Sequence, residues 1–270
     1  MNWWAPENFF DLERLAGSRA ASLFTGLAHV WEALDLLEPF IKETLRGNVA
    51  ELRAEGDFLV RPAAICGGRV YRDITYELGD PARGKLVVRH QGEVLPRASL
   101  IMAGVSLTSD DIEIGEGALI ESGAMIKGPS IIGPNSEVRQ GAYVRGAVMS
   151  SQGAVIGHNT EAKNTLLLAD AKAGHFAYLG DSILGREVNL GAGTKLANLK
   201  MNDLPYYFKY ENERFKVERR KFGAIIGDQV ETGCNTVTSP GALVGRSVKV
   251  LPNTTVGPGY HPAGSFLGRR

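Results

Sequence analysis

Hydrophobic residues recur every six positions through the middle of the chain. From Ile114 onward, eleven six-residue units, or hexads, follow one another, and Ile, Val or Leu opens eight of them. The exceptions open with Ser150, Ala162 and Gly174, and a second run of hexads starts at Ile226. A period of six matches neither the period of a helix, about 3.6 residues, nor that of a simple alternating strand. It predicts a solenoid built from short strands and corners.

Each position of the hexad has a place in that solenoid. The aliphatic first residue points inward, and a small fifth residue fits a tight corner, where glycine relieves the turn. The small fifth residues are Ala118, Ala124, Ser130, Ser136, Ala142, Ala154 and Thr160. The pattern resembles the left-handed parallel β-helix of hexapeptide-repeat proteins, whose triangular coils stack about 4.8 Å apart. We therefore predict an all-β fold of this kind with an N-terminal helical segment.

The flanks of the repeat divide the chain into three predicted parts. Between residues 20 and 46, apolar residues recur at helical spacing, which predicts a helix capped by Ser18 or Ser22 and packed on the end of the solenoid. Short β-like runs broken by Gly and Pro follow, and they predict irregular early coils with an inserted strand pair. The parts are a helical segment at 1–47, an irregular β region at 48–113 and the β-helix at 114–270.

One segment inside the β-helix breaks the repeat. Residues 199–222 are rich in aromatic and charged side chains and separate the two runs of hexads. Loops on a rigid scaffold often carry binding residues. Two interpretations stay open, an extruded loop that lines a functional site and a strand pair that covers an edge of the solenoid.

The composition narrows the class of protein. Of the 270 residues, 30 are Lys or Arg and 30 are Asp or Glu, so the chain has no general attraction to nucleic acid or an anionic membrane. It holds two cysteines, Cys66 and Cys234, opens without the features of a secretion signal, and contains no apolar run long enough for a membrane span. We expect a cytoplasmic protein that binds neither nucleic acid nor a membrane.

Three cations share one hexad position. Lys127, Arg145 and Lys163 follow one another at intervals of 18 residues, so they should stack on one face of successive coils. Two like charges about 5 Å apart repel by roughly 3 kcal/mol at an effective dielectric constant of about 20. Either the side chains splay apart in solvent, or an anion such as a phosphate group neutralises them.

The repeat loses its phase near residues 174–177, and polar residues surround this point. His175 is at an outward hexad position, and Tyr178, Asn189 and Asn198 follow it. An exposed histidine is a candidate proton acceptor. The two asparagines are also compatible with structural stacking between coils.

The residues around this point resemble a known family. Residues 172–198 read KAGHFAYLGDSILGREVNLGAGTKLAN and are similar to the C-terminal acetyltransferase domain of the bifunctional enzyme that makes UDP-N-acetylglucosamine. They also resemble the β-helix tails of sugar-1-phosphate nucleotidyltransferases. The motif GHxxYLGDxxxGxxVNxGAGT is specific, and the similarity extends over roughly residues 114–258. No glycine-rich nucleotide-binding loop occurs near the N-terminus, so we expect no nucleotidyl transfer.

The resemblance implies a role for each matching position. His175 corresponds to the family's catalytic histidine. Either Asn198 or the glycine-rich backbone near Ala192 would orient this base or hold the developing negative charge. The implied sugar-phosphate ligands are Tyr178, Asn189, Lys163, Lys221 and either Arg145 or Arg139. The implied donor-binding residues are Ala192 and Cys234, which replaces a family serine, with Arg246, Lys249, Arg269 and Arg270 available for the donor's phosphates.

The resemblance implies transfer of an acetyl group from acetyl-CoA to an amino-sugar 1-phosphate such as glucosamine-1-phosphate, with His175 as general base, in a homotrimer. This step requires no metal, and a zinc site needs three or four ligands whereas the central repeat holds only His158 and His175. Two alternatives stay open. One is O-acetylation of a sugar or nucleotide sugar, and the other is a non-catalytic module that binds sugar phosphate or assembles a nucleotidyltransferase.

Overall fold

Short parallel strands stack in three columns through most of the chain in the computed structural model, which describes residues 2–210 and 213–268. The predicted fold is confirmed, and the hexapeptide repeats identify the solenoid as a left-handed β-helix. Its first face consists of the strands Ser99–Ile101, Leu119–Ile120, Glu137–Val138, Val155–His158, Lys172–His175, Asn189–Leu190, Glu231–Thr232, Lys249–Val250 and Phe266–Leu267.

The other two columns form the remaining sides of the triangular coil. The second face consists of Ser106–Leu107, Met125–Ile126, Tyr143–Val144, Lys195–Leu196, Val237–Thr238 and Thr255–Val256. The third face consists of Ile112–Ile114, Ser130–Ile132, Val148–Ser150, Ala224–Ile226, Ala242–Val244 and Gly259–His261. Two longer strands, Glu161–Leu167 and Tyr178–Leu184, run from the second face into the third.

The stacking interval changes inside the solenoid, and it changes earlier than the hexad count predicts. Strand partners lie 18 residues apart at Ala162 but 17 residues apart at Thr165. Between them Asn164 adopts a left-handed conformation with φ of 45°. Asparagine tolerates the left-handed region of backbone conformation. The chain can therefore turn sharply at Asn164, and this corner contains one residue fewer than the corner of the preceding coil. The prediction that the phase is lost at 174–177 is therefore wrong.

The changed frame decides which side chains fill the interior. Leu167 and Ala173 belong to the interior cluster, whereas Leu168 belongs to a second cluster outside the third face. The interior is a continuous column of Ile, Val, Leu and Ala side chains between Val49 and Val256. Removal of this column from water is the main force that holds the coils together.

The N-terminal segment is helical, but it is not one helix, and the part predicted as a helix over 20–46 lies along the third face instead of on the end of the solenoid. Its α-helices are Leu12–Leu15, Ala33–Thr44 and Ala50–Arg53, and its 3-10 helices are Pro6–Asn8, Arg19–Phe24 and Val30–Glu32. Gly26, at φ of 73°, interrupts the helix predicted over 20–46, and the side chain of Ser18 makes no capping bond. The apolar residues of the helices up to Thr44 pack along the third face, whereas Val49 and Leu52, beside and in the helix Ala50–Arg53, belong to the interior cluster. Within the described part of the chain, no helix is long and apolar enough to cross a membrane.

The segment 199–222 covers the same face. It contains the antiparallel strands Tyr206–Tyr210 and Glu213–Val217, so the segment includes a strand pair, which lies on a face of the solenoid and not at the predicted edge. Tyr206 and Phe208 are buried in one cluster with Trp31 of the N-terminal segment. Helices and strand pair together close the third face and leave the edge between the first two faces open.

A second, smaller sheet lies against the first face. Strands Ala63–Cys66 and Arg69–Tyr71 pair antiparallel beside Ser99–Ile101, where the stacked column begins upstream of Ile114. The sheet itself consists of Ile74–Glu77, Val87–His90 and Glu93–Val94, with a 3-10 helix at Pro81–Arg83 in the connection between its first two strands. This arrangement contains more than the single strand pair predicted for 48–113.

The packed third face predicts a contrast between two neighbouring leucines of the helix Ala33–Thr44. Leu37 is 1% exposed in the cluster outside the third face, whereas Leu36 is 45% exposed. Leu37→Ala should lower the free energy of unfolding by about 2–5 kcal/mol, the usual cost of a cavity left by a buried leucine. Leu36→Ala, the matched control, should change it by less than about 0.5 kcal/mol. Urea unfolding measures both variants, and equal midpoints would contradict the packing described.

Candidate functional site

The candidate residues gather at the edge where the first face turns into the second. In this coil, the strand Lys172–His175 belongs to the first face, Phe176 and Ala177 form the corner, and Tyr178 is the first residue of the strand on the second face. Gly157, one coil earlier, allows the strand of His175 to approach closely, because a Cβ at Gly157 would lie 1.9 Å from the carbonyl oxygen of Gly174. Polar side chains on both sides of this corner form two halves of one candidate site.

The first-face half is a cavity of about 160 Å³. His175 and Asn189, both exposed, lie in it together, one coil apart. The other polar side chains of the cavity are Glu137, Arg139, Lys172 and Asp80. The Arg139 guanidinium donates a hydrogen bond of 2.6 Å to Glu137. The cavity therefore combines an imidazole with carboxylates and cations.

One wall of this cavity comes from the inserted sheet. Asp80 and Ala82, in and beside the 3-10 helix between Glu77 and Val87, line the cavity together with His175. Sequence reasoning missed this wall. The Asp-Pro-Ala-Arg-Gly stretch from Asp80 to Gly84 indicates a turn, but nothing in a turn motif indicates which distant coil it will contact.

The second-face half is a chain of hydrogen bonds that starts at Tyr178. Its hydroxyl donates to Asn198 Oδ1 at 3.2 Å, and Asn198 Nδ2 donates to Asp181 at 2.5 Å. Asn164 Nδ2 donates to the other carboxylate oxygen of Asp181 at 2.9 Å. Gly180 leaves room for this chain, since a Cβ there would lie 2.6 Å from Asn198 Nδ2 and 2.7 Å from the Tyr178 hydroxyl.

Asp181 is the centre of this series of hydrogen bonds, and sequence analysis did not identify it. It is 6% exposed and accepts bonds from two side-chain amides. Burial, together with the negative charges of Glu161 and Asp181, raises the pKa of the Tyr178 phenol. The phenol therefore stays protonated and can donate. Asn164 and Asp181 are left-handed residues on successive coils. Counting hexads along the sequence does not reveal this shared conformation, so Asp181 could not be found that way.

Two lysines face each other beside Asp181. Contact with the ammonium group of Lys163 lowers the pKa of Lys221, and Asp181 partly opposes that effect. Lys221 reaches this position because Leu199 and Lys221 bridge at the base of the inserted strand pair. A groove of about 650 Å³ lies between Lys163 and the helix Ala33–Thr44, and it is lined by the cations Lys42, Lys163 and Arg219 and by the carboxylates Asp35, Glu38 and Asp181. The lysine pair itself concentrates positive charge, which suits an anionic ligand.

The two candidate arginines belong to different halves of the site. Arg145 donates a 2.6 Å hydrogen bond to Glu161, which raises the pKa of the guanidinium, and its charge also acts on Tyr178. Arg139 lies in the cavity of His175. The backbone register continues the predicted ladder of Lys127, Arg145 and Lys163, so Arg145 is the arginine on the side of the lysine pair.

The residues implied for the acyl donor lie further along the same edge. Cys234, an exposed free thiol, is one coil above Ala192, because Leu190 pairs with Thr232. Arg246 forms an ion pair with Asp11 at 3.6 Å, and Lys249 forms one with Glu231. Both cations are thus already paired. Arg269 and Arg270 lie outside the described residues.

Comparison with known proteins identifies the repeat. Residues 111–146 match the family model described as bacterial transferase hexapeptide (six repeats). The bifunctional sugar-1-phosphate nucleotidylyltransferase/acetyltransferase of Sulfurisphaera tokodaii is 36% identical over 94 residues, which are 35% of this chain and 23% of that protein. The bifunctional protein GlmU of Methanococcus vannielii is 37% identical over 94 residues, 35% of this chain and 22% of that protein. The resemblance seen in the sequence is confirmed, and the match spans under a quarter of each relative.

Similarity to solved structures is more distant. The UDP-N-acetylglucosamine acyltransferase of Francisella novicida aligns with a TM-score of 0.37 and 17% identity, over 58% of this chain and 56% of that one. Likeness at this level indicates no activity. Residues 111–146 thus match bacterial transferase hexapeptide repeats, and they lie within the left-handed β-helix.

The lysine pair predicts a stability effect that depends on pH. In Lys163→Ala the repulsion acting on Lys221 disappears, so the melting temperature near neutral pH should equal or exceed that of the wild type. In the wild type, the folded chain releases the Lys221 proton at a lower pH than the unfolded chain does. Its stability should therefore rise relative to the variant between the lowered pKa and the ordinary lysine value. Calorimetry across this range measures the difference.

Lys249→Ala serves as the control, because this lysine is paired with Glu231 and its loss relieves no repulsion. A clear loss of stability in Lys163→Ala near neutral pH would show that the lysine has a structural role.

Proposed function

We propose that this chain is an acetyl-CoA-dependent acyltransferase that acetylates the amine of an amino-sugar 1-phosphate of the glucosamine-1-phosphate class. One observation carries the proposal. The cavity of His175 lies on one side of the strand that begins at Tyr178, and Lys163, whose charge lowers the pKa of Lys221, lies at the other side of the same strand. A proton acceptor near a pair of cations suits an acceptor that has an amine at one end and a phosphate at the other.

The proposed reaction is a direct transfer. The neutral amine attacks the thioester carbonyl of acetyl-CoA, so a carbon–nitrogen bond forms while the carbon–sulfur bond breaks. His175 accepts the proton that the amine loses, and the proton then passes to the departing CoA thiolate. Backbone N–H groups near Ala192 are the proposed donors to the oxygen that becomes negative. No metal takes part in these steps.

The second-face residues would hold the acceptor in place. Lys163, Lys221 and Arg145 would bind its phosphate, Tyr178 would present its hydroxyl, and Asn189 would contact the sugar from the cavity. The amide of Asn198 is engaged by Tyr178 and Asp181. We therefore propose that Asn198 positions Tyr178, and that the charge on the thioester oxygen is left to the backbone near Ala192.

The relatives support the acyl-transfer half of this proposal. The name of the Sulfurisphaera tokodaii protein includes both nucleotidylyltransferase and acetyltransferase, and this chain matches only part of it. For this chain we propose the acetyltransferase activity and not the nucleotidylyltransferase activity. We further propose that the donor is acetyl-CoA, that Cys234 lies near its thioester, and that the protein acts in the cytoplasm.

We also propose that the chain forms a homotrimer. Its third face is covered by the N-terminal helices and the strand pair, so the subunits would meet through the first and second faces, on either side of the open corner. Closed symmetry lets the same faces of each subunit contact those of its neighbours. The candidate sites would then lie between subunits.

Replacement of His175 tests the mechanism. His175→Ala should reduce acetyl transfer by about 10²–10⁴-fold, the usual contribution of a general base. Because the side chain is exposed, its loss should leave melting temperature and acetyl-CoA binding unchanged. Wild-type turnover should also fall on acidification, since a protonated imidazole accepts no proton. A thiol-release assay with acetyl-CoA measures these rates.

His158→Ala, one coil earlier on the same face, is the matched control and should retain activity. Near-wild-type turnover in His175→Ala would remove the base from the mechanism. The same assay with glucosamine-1-phosphate, galactosamine-1-phosphate and neutral hydroxyl sugars separates N- from O-acetylation. Binding of sugar phosphate without thiol release from any donor would favour the non-catalytic module.

The assembly has its own test. Multi-angle light scattering at micromolar concentration should give a mass three times that of the 29.1 kDa chain. A monomer would contradict both the trimer and the shared sites, whereas it would leave the residues of the mechanism on one subunit to be tested as above.

A further inference from the structure

One corner of the solenoid repeats the same backbone state in coil after coil. Between the first and second faces, one residue per coil has positive φ, and its N–H donates to a carbonyl of the preceding coil in most coils. These residues are Gly104, Gly123, Gly141, Asn159, Phe176, Gly193, Asn235 and Asn253. Glycine and asparagine are the residues that tolerate this state. Phe176 is the exception in this row.

Phe176 is unfavourable at this position in two ways. Its φ is 35°, in a region that bulky residues rarely occupy, and its side chain is 53% exposed. The ring therefore neither relieves the backbone nor joins the core. A strained residue that gains no burial in return is a reason to look for a function.

The surroundings of Phe176 connect it with the candidate site. Its N–H donates to the carbonyl of His158 at 2.6 Å, and the N–H of Gly193 donates to the carbonyl of His175 at 3.1 Å. The ring lies beside Gly193, since a Cβ there would be 3.5 Å from Phe176 Cε2. The ring therefore lies at the corner between the His175 cavity and Tyr178.

We infer that the exposed ring of Phe176 is the surface on which the acceptor's sugar ring lies, which makes it a specificity-determining residue. The inference rests on the proposed function. An acceptor whose amine is at His175 and whose phosphate is at Lys163 and Lys221 has to cross this corner. The residues there are Phe176 and the buried Ala177. The aromatic face offers apolar contact to the C–H face of a cyclic sugar, while an open-chain amine phosphate would gain less from it.

The corner row supplies variants that separate function from folding. Phe176→Asn and Phe176→Gly introduce the residues found at the equivalent corners, so they should keep or raise the melting temperature. Phe176→Tyr keeps the aromatic face and should preserve activity. Asn135→Gly, at a left-handed corner on another edge, is the matched control for a corner substitution away from the site.

The measurement is steady-state thiol release with acetyl-CoA and the best amino-sugar phosphate, together with thermal unfolding. In Phe176→Asn the KM for the sugar phosphate should rise about tenfold, equivalent to about 1.4 kcal/mol. The KM for acetyl-CoA and the shape of the pH profile should not change, because the donor site and the base are intact. A change in the pH profile would instead indicate that Phe176 acts through His175.

Each outcome decides the inference. Wild-type KM in Phe176→Asn would overturn it, and so would a fall in melting temperature in both Phe176→Asn and Phe176→Gly, because the ring would then be structural. If the wild-type chain neither transfers acetyl groups to amino-sugar phosphates nor binds them, the proposed function fails and this inference fails with it. An active wild type with unaffected variants refutes the role of Phe176 alone.

Discussion

Registration between successive coils is the constraint on which the rest of this structure depends. Each strand pairs with the strands above and below it, and the inward aliphatic residues form one continuous column. A slip by one residue would expose that column and bury polar positions. The solenoid therefore tolerates a change of coil length only at a corner. Asn164 and Asp181 occupy such corners, at φ of 45° and 47°.

The shortened corners also generate the polar half of the site. Because both corners turn tightly, the amide of Asn164 reaches the carboxylate of Asp181, which in turn holds Asn198 and through it Tyr178. The buried negative charge is satisfied by these bonds, as a buried carboxylate requires. It also lies near the two facing lysines and opposes part of their repulsion. The shortened corners at Asn164 and Asp181 thus keep the inward residues in register and also place a buried carboxylate beside the two lysines.

The third face is buried, whereas the edge between the first and second faces, which carries the candidate site, is accessible to solvent. Helices and strand pair place aromatic side chains such as Trp31 and Phe208 against outward residues of that face, including Met149. The inserted sheet covers the early coils of the first face through Val88 and Leu100. The edge between the first and second faces stays open where His175 and Tyr178 lie. Its chemistry then depends on a few side chains that the coils hold at fixed spacing.

The sequence by itself determined the repeat, because a period of six with aliphatic first positions has few other solutions. It also determined the stacking of Arg145 on Lys163, which follows from equal spacing. Through its resemblance to a family, it indicated His175, Tyr178, Asn189 and Lys221. Tertiary structure decided where the phase changes, because Asn164 alone does not reveal whether its corner loses a residue. It also decided that Asp80 reaches the His175 cavity, that Lys221 faces Lys163, and that Phe176 stays exposed at a strained corner. Each of these depends on the packing of segments far apart in the chain, and periodicity along the sequence carries no information about such contacts.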